Sequence, residues 1–140
     1  MSKSTNAEIS NPDATLRVRL GTKDTHYRGG LIPAATVMRL FADCTTEIGI
    51  LDTGSAGLLA AYENTEFLLP LRTGDYVEFR AAVISRGRRS RRIALEAWRL
   101  LRAPAEGAAN RDYTPCKPPE LVARGTMISV SPRPRVSEPT

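Results

Sequence analysis

The sequence predicts an α+β domain in which one long helix lies across a curved five-stranded antiparallel sheet. Only one stretch carries apolar residues at helical spacing, while five stretches read as strands. Four of those five follow the helix with no crossover helix between them, which favours antiparallel pairing. A lone amphipathic helix must then bury its stripe on the sheet.

The first strand is marked by Leu16, Val18 and Leu20 alternating with Arg17 and Arg19. The polar segment from Lys23 to Gly30 ends in two glycines and reads as a loop. Pro33 suits the first helical position, and Val37, Phe41, Cys44 and Ile48 recur on one stripe until Gly54, a helix of about 18 residues. Leu58 to Leu69 is a long apolar strand interrupted by Tyr62, Glu63, Asn64 and Glu66. Val77, Phe79, Ala81 and Val83 alternate with Glu78 and Arg80, and Ile93, Leu95 and Ala97 with Ala94, Glu96 and Trp98. Val122, Thr126, Ile128 and Val130 mark the last strand, and turns fall at Gly74-Asp75 and at the arginine segment around Gly87. Strand, helix, then four strands is the hot-dog order.

The 140 residues suit one core, expected over residues 14–131, with flexible tails at 1–13 and at 132–140, where three of nine residues are proline. No apolar run approaches the ~18 to 20 residues of a membrane span, and the polar start does not read as a secretory signal, so no membrane partner is expected and the cytoplasm is the default location. Cys44, within the helical pattern, and Cys116, in a Pro-rich loop, are too few and too isolated for a disulfide framework or a zinc site and are expected as reduced thiols. With one histidine no metal site is expected, and neither a phosphate-binding glycine loop nor a Ser/His/Asp triad can be read.

The net charge of +5 is concentrated in Arg86, Arg88, Arg89, Arg91 and Arg92, which fits either a solvated hairpin or an anionic partner. Basic residues without interleaved aromatics argue against single-stranded nucleic acid.

Chemistry is expected between Asp24 and Glu47. Gly29 and Gly30 allow close backbone approach, and Ile32 cannot cap the helix, so the first-turn N–H groups await either water or a carbonyl oxygen that becomes negative in a transition state. Asp43 and Glu47 stand one turn apart and about 80 to 120° from the centre of the apolar stripe, flanking the core. Half-buried, such a pair pushes one pKa upward and supplies a general acid or base; on a wet face, Arg39 pairs with Asp43 instead. His26 either polarises a substrate or bonds the backbone.

Lys23-Asp24-Thr25-His26-Tyr27-Arg28-Gly29-Gly30-Leu31, followed by Asp43 and Thr46-Glu47, resembles the hot-dog ammonia lyases acting on β-alanyl-CoA and 3-aminobutyryl-CoA. The likeness continues through Tyr62, Glu66-Phe67, Pro70, Gly74-Asp75, Glu78, Glu96-Ala97-Trp98, Cys116, Pro118-Pro119 and Ala123-Arg124. The chain departs from that pattern at Gly30, Pro33, Ala34 and Thr36, at the mouth of the site. The resemblance implies a carbon–nitrogen lyase that interconverts a β-aminoacyl-CoA with an enoyl-CoA and ammonia, without a cofactor beyond the coenzyme A of the substrate. It implies Asp43, Glu47 and His26 as catalytic residues, with Tyr27, Gly29, Gly30, Leu31, Tyr62 and Glu66 around the substrate. Arg86, Arg88 and Arg89 become candidates for the coenzyme A phosphates. It further implies a homo-oligomer of hot-dog dimers, or a trimer of such dimers, acting on a CoA or acyl-carrier thioester. A hot-dog thioesterase or enoyl-CoA hydratase is the alternative, and a non-catalytic anion-binding protein a further one.

Overall fold

A computed structural model describes residues 8–21, 23 and 28–132. The elements are β1 (Ala14–Arg19), a short 3-10 turn (Arg28–Gly30), α1 (Ala34–Thr53), β2 (Leu58–Phe67), β3 (Tyr76–Arg86), β4 (Ser90–Arg102) and β5 (Thr114–Val130). The strands form one antiparallel sheet in the order β1-β3-β4-β5-β2, so β1 and β2 are its two edges. Register shifts in β2, β3 and β4 are the bulges that bend such a sheet. One helix on a five-stranded antiparallel sheet is the expected hot-dog architecture.

The core forms where α1 meets the sheet. Val37, Leu40, Phe41, Cys44 and Ile48 pack against Val77, Phe79, Ile93, Leu95 and Met127, all buried. Phe41 and Phe79 meet edge to face, ring centroids 5.4 Å apart. The helix ends at Gly54, in the left-handed conformation with its N–H bonded to the Ile50 carbonyl. Gly49 is needed for a different reason: a Cβ there would stand 2.7 Å from the Ala56 carbonyl oxygen, so a larger residue blocks the chain's return across the helix.

Several boundaries differ from expectation. Pro33 is the helix N-cap rather than its first residue, because its ψ of 149° is extended; the helix is correspondingly 20 residues long. β2 stops at Phe67, where the N–H groups of Leu68 and Leu69 both turn to the Val122 carbonyl. β5 begins eight residues before Val122, so Cys116 lies on a strand and not in a loop. Its first half pairs only with β4, which leaves Pro115, Pro118 and Pro119 on a one-sided ladder that tolerates missing N–H donors.

Residues 8–13, expected within a loose tail, are bound to the outer face of the sheet. The Ile9 N–H donates to Glu96 at 2.9 Å, Glu8 pairs with Arg80, and the Asp13 carboxylate accepts the Val83 N–H. These bonds join a cross-strand network in which Glu78 takes Arg17 and Arg80 at 2.7 Å each and the Arg80 guanidinium stacks over Trp98. No helix among the described residues is long and apolar enough to cross a membrane.

Candidate functional site

The loop before α1 is built on two glycines. Gly29 and Gly30 have φ of 75° and 73°, a conformation that side chains with a Cβ rarely adopt. Their carbonyls are held from the far side by the segment after β2. Arg72 donates to the Gly29 carbonyl at 3.0 Å, and the Thr73 N–H and hydroxyl donate to that of Gly30 at 2.8 and 3.2 Å. Leu31 forms an isolated bridge with Arg72, and the Ile32 N–H bonds to the Leu71 carbonyl. The chain therefore enters α1 along a fixed path. No side chain caps the helix, as expected; Thr36 donates to the Pro33 carbonyl, and the N–H groups of Ala34 and Ala35 meet no acceptor among the described residues. Asp24, His26 and Tyr27 lie outside the described residues.

Asp43 and Glu47 do not sit in a protected cleft within the single chain. Both are exposed, and Asp43 pairs with Arg39 at 3.3 Å with each side chain more than half exposed. The sheet covers the apolar stripe of α1, and among the described residues nothing buries the two acids on its flank. That flank nevertheless has a consistent chemistry. Tyr62, on β2, donates its hydroxyl to the Met38 carbonyl of α1, and burial together with the Asp43 charge pushes its pKa up to about 12. Burial and the Glu47 charge push the Cys44 thiol up to about 12. Both groups stay protonated at neutral pH, so neither adds negative charge beside the acids.

Other expected residues fall elsewhere. Glu66 is on the opposite face of the sheet from Tyr62, bonded to Arg124 at 2.7 Å beside a cleft of about 530 Å³ that Glu96 and Ile9 also line. The bulge between Glu63 and Glu66, where Asn64 takes φ of 48°, breaks the alternation that would have kept it near Tyr62. The arginine hairpin lies at the C-terminal end of α1, where Arg86 is held by Asp52 at 3.1 and 3.2 Å and Arg89 donates to the Pro132 carbonyl. Arg88 is exposed. The length of α1, ~30 Å at 1.5 Å per residue, separates this hairpin from the glycine loop of the same chain. Arg91, counted in the hairpin charge, is buried between Asp52, Ser129 and Ser131 and ties β4 to α1.

One feature of the site was missed from sequence: an apolar cavity of about 300 Å³ between the first turn of α1 and the chain that leaves β2. Its only sequence signal was the run Phe67-Leu68-Leu69, which also reads as strand.

No family model matches the chain. The 3-aminobutyryl-CoA ammonia lyase of Acetoanaerobium sticklandii is 32% identical over 120 residues, spanning 86% of this chain and 94% of the relative. The structure of β-alanyl-CoA:ammonia lyase from Clostridium propionicum superposes with a TM-score of 0.82 at 23% identity, covering 90% of this chain and 92% of that one. A hexameric thioesterase from Yersinia pestis superposes with a TM-score of 0.72 at 18% identity, over 93% of this chain and all of that one. The two structural matches carry the fold.

Proposed function

The chain belongs to the 3-aminobutyryl-CoA ammonia lyase family, and from that premise we propose that it adds ammonia to, or eliminates it from, the β-carbon of an acyl-CoA thioester. The kinship along 94% of that relative is the observation that carries the reading, and the acidic flank of α1 gives it a chemistry. In elimination a carboxylate takes the α-proton, negative charge develops on the thioester oxygen, and the C–N bond breaks to release ammonia as the double bond forms. We assign the proton to Glu47, which has no ion-pair partner among the described residues. The β-ammonium goes to Asp43, which already accepts a cation from Arg39. His26 and Tyr27, which lie outside the described residues, are the groups we assign to the thioester, as the family resemblance implies. The steps ask for no cofactor beyond the substrate's own coenzyme A, and we assign them to the cytoplasm, where CoA thioesters are made.

The geometry asks for more than one chain. Glu47, the base, lies thirteen residues beyond Ala34, ~20 Å along the helix, whereas a base and an oxyanion donor on one thioester must lie within about 8 Å of each other. A second subunit removes the conflict. Among the described residues, seven of the eight exposed large apolar side chains, Ile50, Leu51, Leu58, Leu59, Phe67, Leu68 and Leu69, lie at the end of α1, on β2 or just after it. β2 is an edge strand with one side of its ladder unpaired. These observations support a homo-oligomer joined through β2, with the acids of one subunit working beside the helix N-terminus of the other; the hexameric thioesterase of the same fold supports three such dimers. Arg88 and Arg89 are the hairpin residues we assign to coenzyme A phosphates, since Asp52 already neutralises Arg86. Leu59→Arg should convert the assembly to monomers in light scattering and abolish activity, whereas a fully active monomer would refute the shared site.

Crotonyl-CoA and ammonium mixed with the protein should give 3-aminobutyryl-CoA, read by mass spectrometry. Free coenzyme A thiol would instead identify a thioesterase, a hydroxyacyl product a hydratase, and no turnover at all would end the enzymatic reading.

A further inference from the structure

The cavity beside the first turn of α1 is walled by Ile32, Ala34, Val37, Phe67, Leu69 and Val122 among others, and no polar side chain lines it. Away from the uncapped Ala34 N–H at its mouth, the nearby backbone is engaged as well: the Ile32 N–H holds the Leu71 carbonyl, and those of Leu68 and Leu69 hold the Val122 carbonyl. A guest there gains by burying hydrocarbon, while an amide or a charge would lose its water partners without replacement. That requirement sorts the parts of a β-aminoacyl-CoA. The pantetheine arm carries two amides, and the β-ammonium needs a carboxylate. Only the hydrocarbon beyond the β-carbon matches the walls.

In the 3-aminobutyryl group that hydrocarbon is a single methyl, comparable in size to the ~30 Å³ share of one water. A cavity of about 300 Å³ is far larger. Resting on the lyase reading above, the geometry points to a narrower substrate class: a β-aminoacyl thioester with an extended alkyl tail, about four to six carbons past the β-carbon, seated in this cavity. The thioester carbonyl then lies at the uncapped first turn of α1, and the tail runs inward between Val37 and Val122. The rim formed by Phe67 and Leu69 is half open within one chain and lies beside the subunit seam proposed above, from which the tail enters.

The test is a series of kcat/KM values for amination of crotonyl-, 2-hexenoyl-, 2-octenoyl- and 2-decenoyl-CoA at one ammonium concentration; 2-octenoyl, with five carbons past the β-carbon, should be the best of them. Two more buried methylenes should raise kcat/KM about tenfold from crotonyl to 2-hexenoyl. Val37→Phe, which fills the cavity, should lower the ratio of 2-hexenoyl to crotonyl at least tenfold. Phe67→Ala, on the rim beside the proposed subunit seam and with its oligomeric state checked by light scattering, should move the preference toward 2-decenoyl. A rate that falls with each added carbon, the result expected if a second subunit occupies the cavity, overturns this inference and leaves the lyase reading standing. No amination of any member, crotonyl included, overturns the lyase reading itself.

Discussion

Glu47→Gln is expected to lower kcat for amination at least about a thousandfold, the upper range for losing a positioned general base. Its melting temperature should stay within a few degrees of wild type, because the side chain is exposed and has no ion-pair partner among the described residues. Asp43→Asn is expected to behave differently. It removes the anchor for the β-ammonium and the ion pair with Arg39, so KM for ammonium should rise about tenfold or more while kcat falls less. The division follows from charge: a base needs a carboxylate free to accept a proton, and Asp43 already spends its charge on a guanidinium. Steady-state kinetics with ammonium varied at saturating enoyl-CoA separates the two effects. The reverse split exchanges the roles, and two variants with wild-type kinetics would exclude this flank of α1 from the chemistry.

The architecture was legible because its signals are local. Period 2 in β1, β3 and β4 and a single helical stripe from Val37 to Ile48 need no knowledge of the rest of the chain. The first half of β5 was hidden because Pro115, Pro118 and Pro119 argue against a strand, and only the sheet order explains their tolerance: β2 does not reach that far along β5. The site was legible as residue types but less so as geometry. The uncapped helix start could be read from Ile32 and Pro33 alone. Glu66 could not be placed, since a bulge two residues earlier sends it to the other face of the sheet. The exposure of Asp43 and Glu47 was also beyond sequence, because flanking an apolar stripe does not say whether a second layer covers the flank. The same limit applies to segment 8–13: polar residues at a chain end read as a tail, yet Glu8, Ile9 and Asp13 find partners on the outer strands.

Asp75→Ala is expected to cost about 3 to 5 kcal/mol of stability and to lower the melting temperature by at least about 10 °C. Asp75 is 1% exposed and sits at a crossing of three segments. One carboxylate oxygen takes the Arg72 N–H at 3.0 Å and Arg99 at 3.1 Å, and the other takes the Ala103 N–H at 2.8 Å. Removing it strands two backbone donors and leaves the buried Arg99 guanidinium with only Glu120 and the Pro70 carbonyl. Arg99→Met should cost less than Asp75→Ala, because Asp75 would keep both backbone N–H groups. The double variant should cost less than the sum, as expected for two charges that need each other. The consequence reaches the site. Asp75 fixes the backbone of Arg72, and Arg72 and Thr73 hold the carbonyls of Gly29 and Gly30. Amide hydrogen exchange at Ile32, whose N–H is bonded to Leu71, should therefore accelerate in Asp75→Ala even well below its melting temperature. If Ile32 keeps its protection while stability falls, the cluster supports the sheet alone and the glycine loop holds its shape without it.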